Sequence, residues 1–475
     1  MVTDDILFSG IRSLGNSVRA RKLSPVELTE AYLKRLETIG PKLNAVVTVT
    51  RELALAQARA AEKEIAAGKY RGPLHGIPYG IKDAFATKGI ATTWGTAPYR
   101  NQVFDYDATV VARLAAAGAV LLGKLAMIEL VGGLGYNTAD ASFTGPCRTP
   151  WNPDYFSGGS SSGPASATSA GLVAFSVGGE TGGSIVQPSA NCGASGMRTT
   201  YGRVSRHGSV SLCWTLDKIG PICRSADDCG LVLDAIAGYD RLDPATSRRM
   251  FRYAGREANT KKFKLAVVKG SYERSQPEVR TNFEKSLTVL SKFADIEHVD
   301  FPDFPYGAIL STILYSEGTA AFRELVDNGD MRQMQNHADR IGGYIGMTIS
   351  AVEYLQAQRV RKLARIAVDG LVSKYDALLG PTTTSVARRI AGSFNQTAPP
   401  QRGAARASGG PQAALVPAGN IAGVPAITVP NGFGQNGLPT SLQFLGAAWS
   451  EATLIAAANA YQKATDWHTR RPPVG

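Results

Sequence analysis

Of the chain's 475 residues only five are cysteine (Cys147, Cys192, Cys213, Cys223, Cys229) and five are histidine (His75, His207, His298, His337, His468). The cysteine count is odd and no CxxC pair occurs. That argues against a disulfide framework and a structural zinc site and fits a reducing compartment. No apolar run approaches the roughly 18 residues of a membrane span. The acidic N-terminus MVTDDILFSG has no apolar core of a signal peptide. A cytoplasmic protein without membrane contact is expected. Nucleotide signatures are missing too. Neither glycine cluster is followed by Lys-Ser or Lys-Thr, and GGETGG has the wrong spacing for a dinucleotide fingerprint. There is no GxSxG elbow. His298 and His337 lie in polar segments and His468 lies near the C-terminus, so a Ser-His-Asp triad is possible but unattractive.

One sign of charge is in excess. The net charge is +12, which raises the question of nucleic acid. The basic residues are scattered, however. The densest run, RVRKLAR (Arg359 to Arg365), falls in an amphipathic helical pattern and reads as a solvated face. No zinc-finger, RNP-like or basic-zipper pattern accompanies it, so no nucleic-acid partner is expected and the charge reads as solubility or attraction of anionic ligands.

What is present is the composition of a globular protein with a large core, 44% hydrophobic and 19% charged. LSPVELTEAYLKRLETI opens as a helix, with Ser24 as N-cap, Pro25 in the first turn and Glu27 completing a capping box. ELALAQARAAEKEIAAG reads as a second helix ending at Gly68. Short apolar runs follow between helical patterns: GIPYGIKDAF, AVLLGKL, LVAFSVGG, KLAVVKG and YDALLGPT. This alternation predicts an α/β layer architecture. Length alone suggests about three domains, yet nothing marks a linker, and one unit over residues 1–475 is expected. The stretch 395–414, rich in Gly, Pro, Ala and Arg, reads as a mobile loop over a site or a surface excursion.

Glycine and serine concentrate in FSGGSSSGPASATSAG and VGGETGGSIVQPSANCG. A flexible linker is the plain reading. It fails because the clusters flank a plausible buried strand, Leu172 to Val177, preceded by a helix of small residues. A strand, a glycine turn and a helix start after Ser184 form the kind of frame that presents a reactive group, with backbone N–H groups available to an oxyanion. Lys82, inside the strand-like HGIPYGIKDAF, has two readings. Alternation puts it with Pro78, Gly80 and Ala84 on a face of small residues. It is either a charge on an edge strand or a buried amine of depressed pKa able to take a proton. This stretch alone leaves the two even.

Three motifs in order carry a resemblance. HGIPYGIKD, GGSSSG (Gly158 to Gly163) and ETGGSIVQP (Glu180 to Pro188), with the flanking matches LSPVELTEAYLKRLE, YGRVSRHG, DALLGPTT, NIAGVPAITVP and GLPTSLQFLG, resemble the amidase signature family of Ser-Ser-Lys hydrolases of carbon–nitrogen bonds. The resemblance implies one large α/β domain, a twisted mixed β-sheet covered by helices on both faces, with a signature region at about 75–215. It implies Ser184 as nucleophile, Ser160 as a bridging serine after a cis peptide bond, and Lys82 as base. The backbone N–H groups of Thr181, Gly182, Gly183 and Ser184 would form the oxyanion hole. Gly133, Leu134 and Tyr136, in VGGLGYNT, align with a segment that lines the family's pocket. No metal or other cofactor is implied. The expected partner is a small-molecule amide or carbamate, and the protein a monomer or homodimer. An alternative within the same family is the glutamine-amidase subunit of a tRNA-dependent amidotransferase, with a partner chain. A degenerate, non-catalytic fold is disfavoured because all three positions hold the required residue type. The chain departs from the family's usual motif at Glu180 (usually Asp) and Val186 (usually Arg), and Ser162 stands where a glycine is usual, which makes it a possible decoy nucleophile.

Overall fold

A computed structural model describes residues 2–255, 262–392, 394 and 411–474, the side chains of 411–414 excepted. One mixed sheet of eleven strands organises the molecule. The strands are β1 Val46–Val49, β2 Pro78–Lys82, β3 Val120–Leu125, β4 Phe175–Glu180, β5 Ser195–Arg198 and β6 Lys218–Cys223, then β7 Phe263–Val268, β8 Ala294–Val299, β9 Ala377–Pro381, β10 Ala426–Phe433 and β11 Pro439–Leu445. Their order in space is β1-β3-β2-β4-β6-β5-β10-β11-β9-β7-β8. β2 runs parallel to both β3 and β4, and β7 runs parallel to β8 and β9; the other pairs are antiparallel. Helices alternate with the strands, so the α/β expectation is met.

Local chemistry explains the elements. The helix Pro25–Leu43 starts at Ser24, whose hydroxyl oxygen accepts the N–H groups of Val26 and Glu27 at 3.1 and 3.2 Å. The predicted capping box is only half made: among the described residues the Glu27 carboxylate makes no return bond to the Ser24 N–H, and the Ser24 hydroxyl also donates to Glu62 on the neighbouring helix Arg51–Ala66. Gly68 follows that helix in the left-handed conformation. The strand expected at Leu172–Val177 begins later and runs on to Glu180. The helix Ser162–Ser169 accounts for the shift: Gly171 is left-handed and the Leu172 N–H closes on Ala167, which consumes the first predicted strand residues in a cap.

The centre of the sheet is dry. All residues of β2 and β3 are buried, as expected of parallel strands covered on both faces. This removes the edge-strand reading of Lys82. The basic run lies on the helix Ala351–Val372, where Arg359, Lys362 and Arg365 are exposed, while Arg361 turns inward to the carbonyls of Ile421 and Thr215. All five cysteines are free and buried. Among the described residues no helix is long and apolar enough to cross a membrane. Of the stretch 395–414, residues 395–410 lie outside the described residues; the helix Pro411–Ala422 follows them.

Candidate functional site

The parallel pair β2 and β4 sets the site. Both strands deliver their carboxyl ends to the same end of the sheet, where ligand sites of α/β folds collect. β2 ends on Lys82, and β4 ends on Glu180, just before the turn 181–184. The serine-rich loop reaches the same place ahead of the helix Ser162–Ser169. It is stitched to the turn by Ser161, whose N–H donates to the Ser184 carbonyl at 3.2 Å and whose hydroxyl donates to Gly179 at 3.1 Å. The Gly159–Ser160 peptide bond is cis. Glycine is required at 159: a Cβ there would lie 2.5 Å from the Ile128 side chain.

Lys82 Nζ and Ser160 Oγ are 2.7 Å apart, and both side chains are buried. Burial pulls the Lys82 ammonium down to about 7, against the opposing pull of Asp217 and Glu180. An amine in this state is divided between its two forms at neutral pH, and its neutral form accepts a proton. A hydroxyl beside it both donates and accepts.

The turn after β4 needs glycine at 183, where φ is +136° and a Cβ would meet Gln187 and Val416 at 2.9 and 3.0 Å. Among the described residues no acceptor takes the N–H groups of Gly182, Gly183 or Ser184. Those of Ile185 and Val186 both go to Glu180 Oε2, at 2.8 and 3.0 Å. Glu180 Oε1 faces Arg198 Nη1 at 3.2 Å and accepts from Asn420 Nδ2 at 2.8 Å. Val186, where an arginine is usual, is buried, and the guanidinium that pairs with Glu180 is that of Arg198 on β5. Ser162 is no decoy: its hydroxyl donates to the Ala126 carbonyl at 3.2 Å and the residue is buried.

Two cavities meet this constellation. The smaller, about 190 Å³, is lined by Lys82, Ser160, Thr181, His207, Asp217 and Lys218. The larger, about 740 Å³, is lined by Tyr136, Gly159, Gly182, Gln187, Thr382 and Val416. Of the three residues expected to contact a substrate, Tyr136 lines the larger cavity. Leu134 is buried against the helix Asp339–Met347, with its carbonyl facing Gly342, and Gly133 is packed against Leu212; neither lines these two cavities.

Residues that the sequence reading passed over complete the site. Asp217 accepts from the Thr181 hydroxyl at 2.6 Å and from the N–H groups of Leu212 and Cys213. Lys218 is buried, drawn down to about 7 by that burial, and donates to the Leu216 carbonyl. A signal existed: Asp217-Lys218 is a charged pair inside the otherwise apolar LCWTLDKIGPIC, the same anomaly that drew attention to Lys82. Nothing in the sequence pointed to Arg198 or Asn420. Asp83, adjacent to Lys82, faces elsewhere. Its carboxylate accepts from the N–H of Thr93 at 3.0 Å and from the Thr93 hydroxyl, and lies 3.6 Å from Lys124 Nζ. His75 sits apart beside Glu64 and accepts from the Arg71 N–H. Among the described residues no cluster of three or more His, Cys, Asp or Glu side chains is arranged to hold a metal ion.

Residues 27–455 match the family model described as Amidase. The A-type subunit of the glutamyl-tRNA(Gln) amidotransferase of Geobacter metallireducens is 36% identical, over 97% of this chain and 98% of its own length. The native peptide amidase of Stenotrophomonas maltophilia superposes with a TM-score of 0.81 at 30% identity, over 98% of both chains. A bacterial aryl acylamidase of the amidase signature family superposes with a TM-score of 0.84 at 25% identity, over 97% of this chain and 98% of that one.

Proposed function

The chain belongs to the amidase signature family of hydrolases acting on carbon–nitrogen bonds, and from that premise we propose that it cleaves an amide through an acyl-enzyme on Ser184, with Ser160 and Lys82 as proton carriers. One observation carries the reading: a buried lysine at the end of a central strand lies 2.7 Å from the hydroxyl of Ser160, and the next residue, Ser161, ties that loop to the Ser184 carbonyl through its N–H.

The chemistry follows from the groups present. A serine hydroxyl is a weak nucleophile at neutral pH and needs a base. Neutral Lys82 takes a proton from Ser160 as Ser160 takes one from Ser184. Ser184 Oγ then adds to the carbonyl carbon, and negative charge gathers on the carbonyl oxygen. The N–H groups of the 181–184 turn receive that charge; among the described residues no acceptor competes for those of Gly182, Gly183 and Ser184. Each such donor is worth roughly 10²–10³ in kcat. The proton returns by the same path to the leaving nitrogen, the C–N bond breaks, and water later releases the acyl group as a carboxylic acid. Tyr136 and the larger cavity are assigned to substrate contact.

For the substrate, two readings stand. The first is a stand-alone hydrolase of a small amide or carbamate, supported by the likeness to peptide and aryl-acyl amidases. The second is a glutamine amidase working within a larger complex, supported by the higher identity to the A-type amidotransferase chain over nearly the whole length, and the similarity weighs toward it. Purified protein assayed for ammonia release from glutamine, and for hydrolysis of a panel of aryl amides and aryl carbamates, separates them. Glutaminase activity that depends on an added partner supports the second; turnover of aryl substrates by the isolated chain supports the first. Hydrolysis undiminished in Ser184→Ala would contradict the mechanism in either case.

A further inference from the structure

Glu180 and Arg198 are both fully buried. A buried ion pair is poor evidence for stability alone, because desolvation offsets most of its attraction. Its geometry shows a more particular use. Glu180 is the last residue of β4 and enters the 181–184 turn covalently. Its carboxylate then reaches across the turn to the N–H groups of the two residues that follow Ser184. The nucleophile turn is thereby closed into a ring through one side chain. The other carboxylate oxygen is held from two further elements, by Arg198 on β5 and Asn420 on the helix Pro411–Ala422. Arg198 Nε and Asn420 Nδ2 also bind the carbonyls of Val424 and Val416, at 3.1 and 3.0 Å, so neither partner is free to swing.

We propose that Glu180, braced by Arg198 and Asn420, is the positioning residue that fixes the Ser184 turn. The two departures from the usual motif are then one rearrangement. A carboxylate longer than the usual aspartate spans the turn, and its countercharge comes from β5 instead of from position 186. By drawing the N–H groups of Ile185 and Val186 to itself, Glu180 also leaves those of Gly182, Gly183 and Ser184 as the donors available to an oxyanion. Val416 lines the larger cavity, so the same brace connects the cavity wall to the nucleophile turn.

The inference rests on the acyl-enzyme reading, and the test separates the two. The probe is an alkyl fluorophosphonate, followed by mass of the Ser184 adduct and by the inactivation parameters kinact and KI. Glu180→Gln keeps shape but loses charge and one acceptor. Its kinact is expected to fall about 10- to 100-fold, the scale of a misplaced reacting atom, with KI changed less than about threefold. A second readout responds to charge. Asp217 and Glu180 are the carboxylates that face Lys82, with Lys218 beside Asp217, and both carboxylates favour the protonated amine. Removing the Glu180 charge therefore moves the acid limb of kinact to lower pH, which a purely structural residue would not do. Asn420→Ala, an uncharged change, gives a smaller loss of kinact with the limb unmoved, and carries the test if Glu180→Gln does not fold. Wild-type kinact and an unmoved limb in folded Glu180→Gln, or wild-type kinact in Asn420→Ala where only that variant folds, overturns the clamp alone. An undiminished adduct in Ser184→Ala overturns the acyl-enzyme reading itself.

Discussion

Lys82 and Lys124 are neighbours in the sheet, on β2 and β3, and both are fully buried. They do opposite things. Lys124 Nζ donates to the Phe85 carbonyl and to the hydroxyls of Thr87 and Thr92 at 3.1 and 2.7 Å, and the Asp83 carboxylate lies 3.6 Å away. Burial lowers it to about 8, but its surroundings are built of oxygen acceptors that suit an ammonium. Lys82 has a single hydroxyl, Ser160, and among the described residues no carboxylate within ion-pair distance. Burial alone does not make a base. A buried lysine supplied with acceptors is a structural cation; one given only a hydroxyl is poised to exchange a proton. The contrast also gives Asp83 a role. It does not serve Lys82, its neighbour in sequence, but pairs with Lys124 and holds the Thr93 loop.

The sharpest way to break this comparison is to replace each lysine with methionine. Lys82→Met is expected to reduce turnover by about 10³-fold or more, the upper range for general acid–base catalysis, while circular dichroism stays that of the wild type. Lys124→Met leaves Asp83 buried without its cation and is expected to cost about 3–5 kcal/mol of stability, read as a large drop in the denaturation midpoint, with the folded fraction still acylated. Equal loss of activity at equal stability in both variants would erase the distinction. A finer probe is Asp217→Asn. Asp217 favours the protonated form of Lys82, so its neutralisation shifts the acid limb of the rate profile to lower pH; a limb that moves to higher pH would contradict the assignment. The smallest effect is expected far from the site: Ser24→Ala removes an N-cap and costs about 1 kcal/mol, seen in the denaturation midpoint with kcat unchanged.

Much of this contrast could be read in the chain itself. The α/β alternation and the small-residue helix before β4 follow from patterns local in sequence, apolar runs, glycine turns and serine clusters, whereas the grouping of Lys82, Ser160 and the 181–184 turn was implied by the resemblance of three ordered motifs to a family. What was not legible was non-local. Whether Lys82 sits on an edge or a central strand depends on β3 and β4 arriving on either side of it, and no alternation within β2 encodes that. Lys124 looked like any residue of AVLLGKL until Asp83 and the Thr87–Thr92 loop were seen around it. The loss of an arginine at 186 read as a gap in the motif. Arg198 pairs with Glu180 from a strand whose own sequence, SGMR, carries no sign of it. Tyr136 lines the larger cavity while Leu134 packs against the helix Asp339–Met347, in a loop whose left-handed backbone at Leu130 and Val131 its sequence did not announce.

The most direct test is the pH dependence of Ser184 acylation, measured as the fluorophosphonate inactivation rate from pH 5 to 9 in the wild type and in Lys82→Met. In the proposed mechanism the reacting form of Lys82 is the neutral amine, and burial brings its pKa down to about 7. The rate should therefore be low at pH 5, rise through about 7 and level off above it, and in Lys82→Met it should be slow throughout with that limb gone. A wild-type rate that is flat across this range, or a limb near 7 that survives in Lys82→Met, would contradict Lys82 as the base.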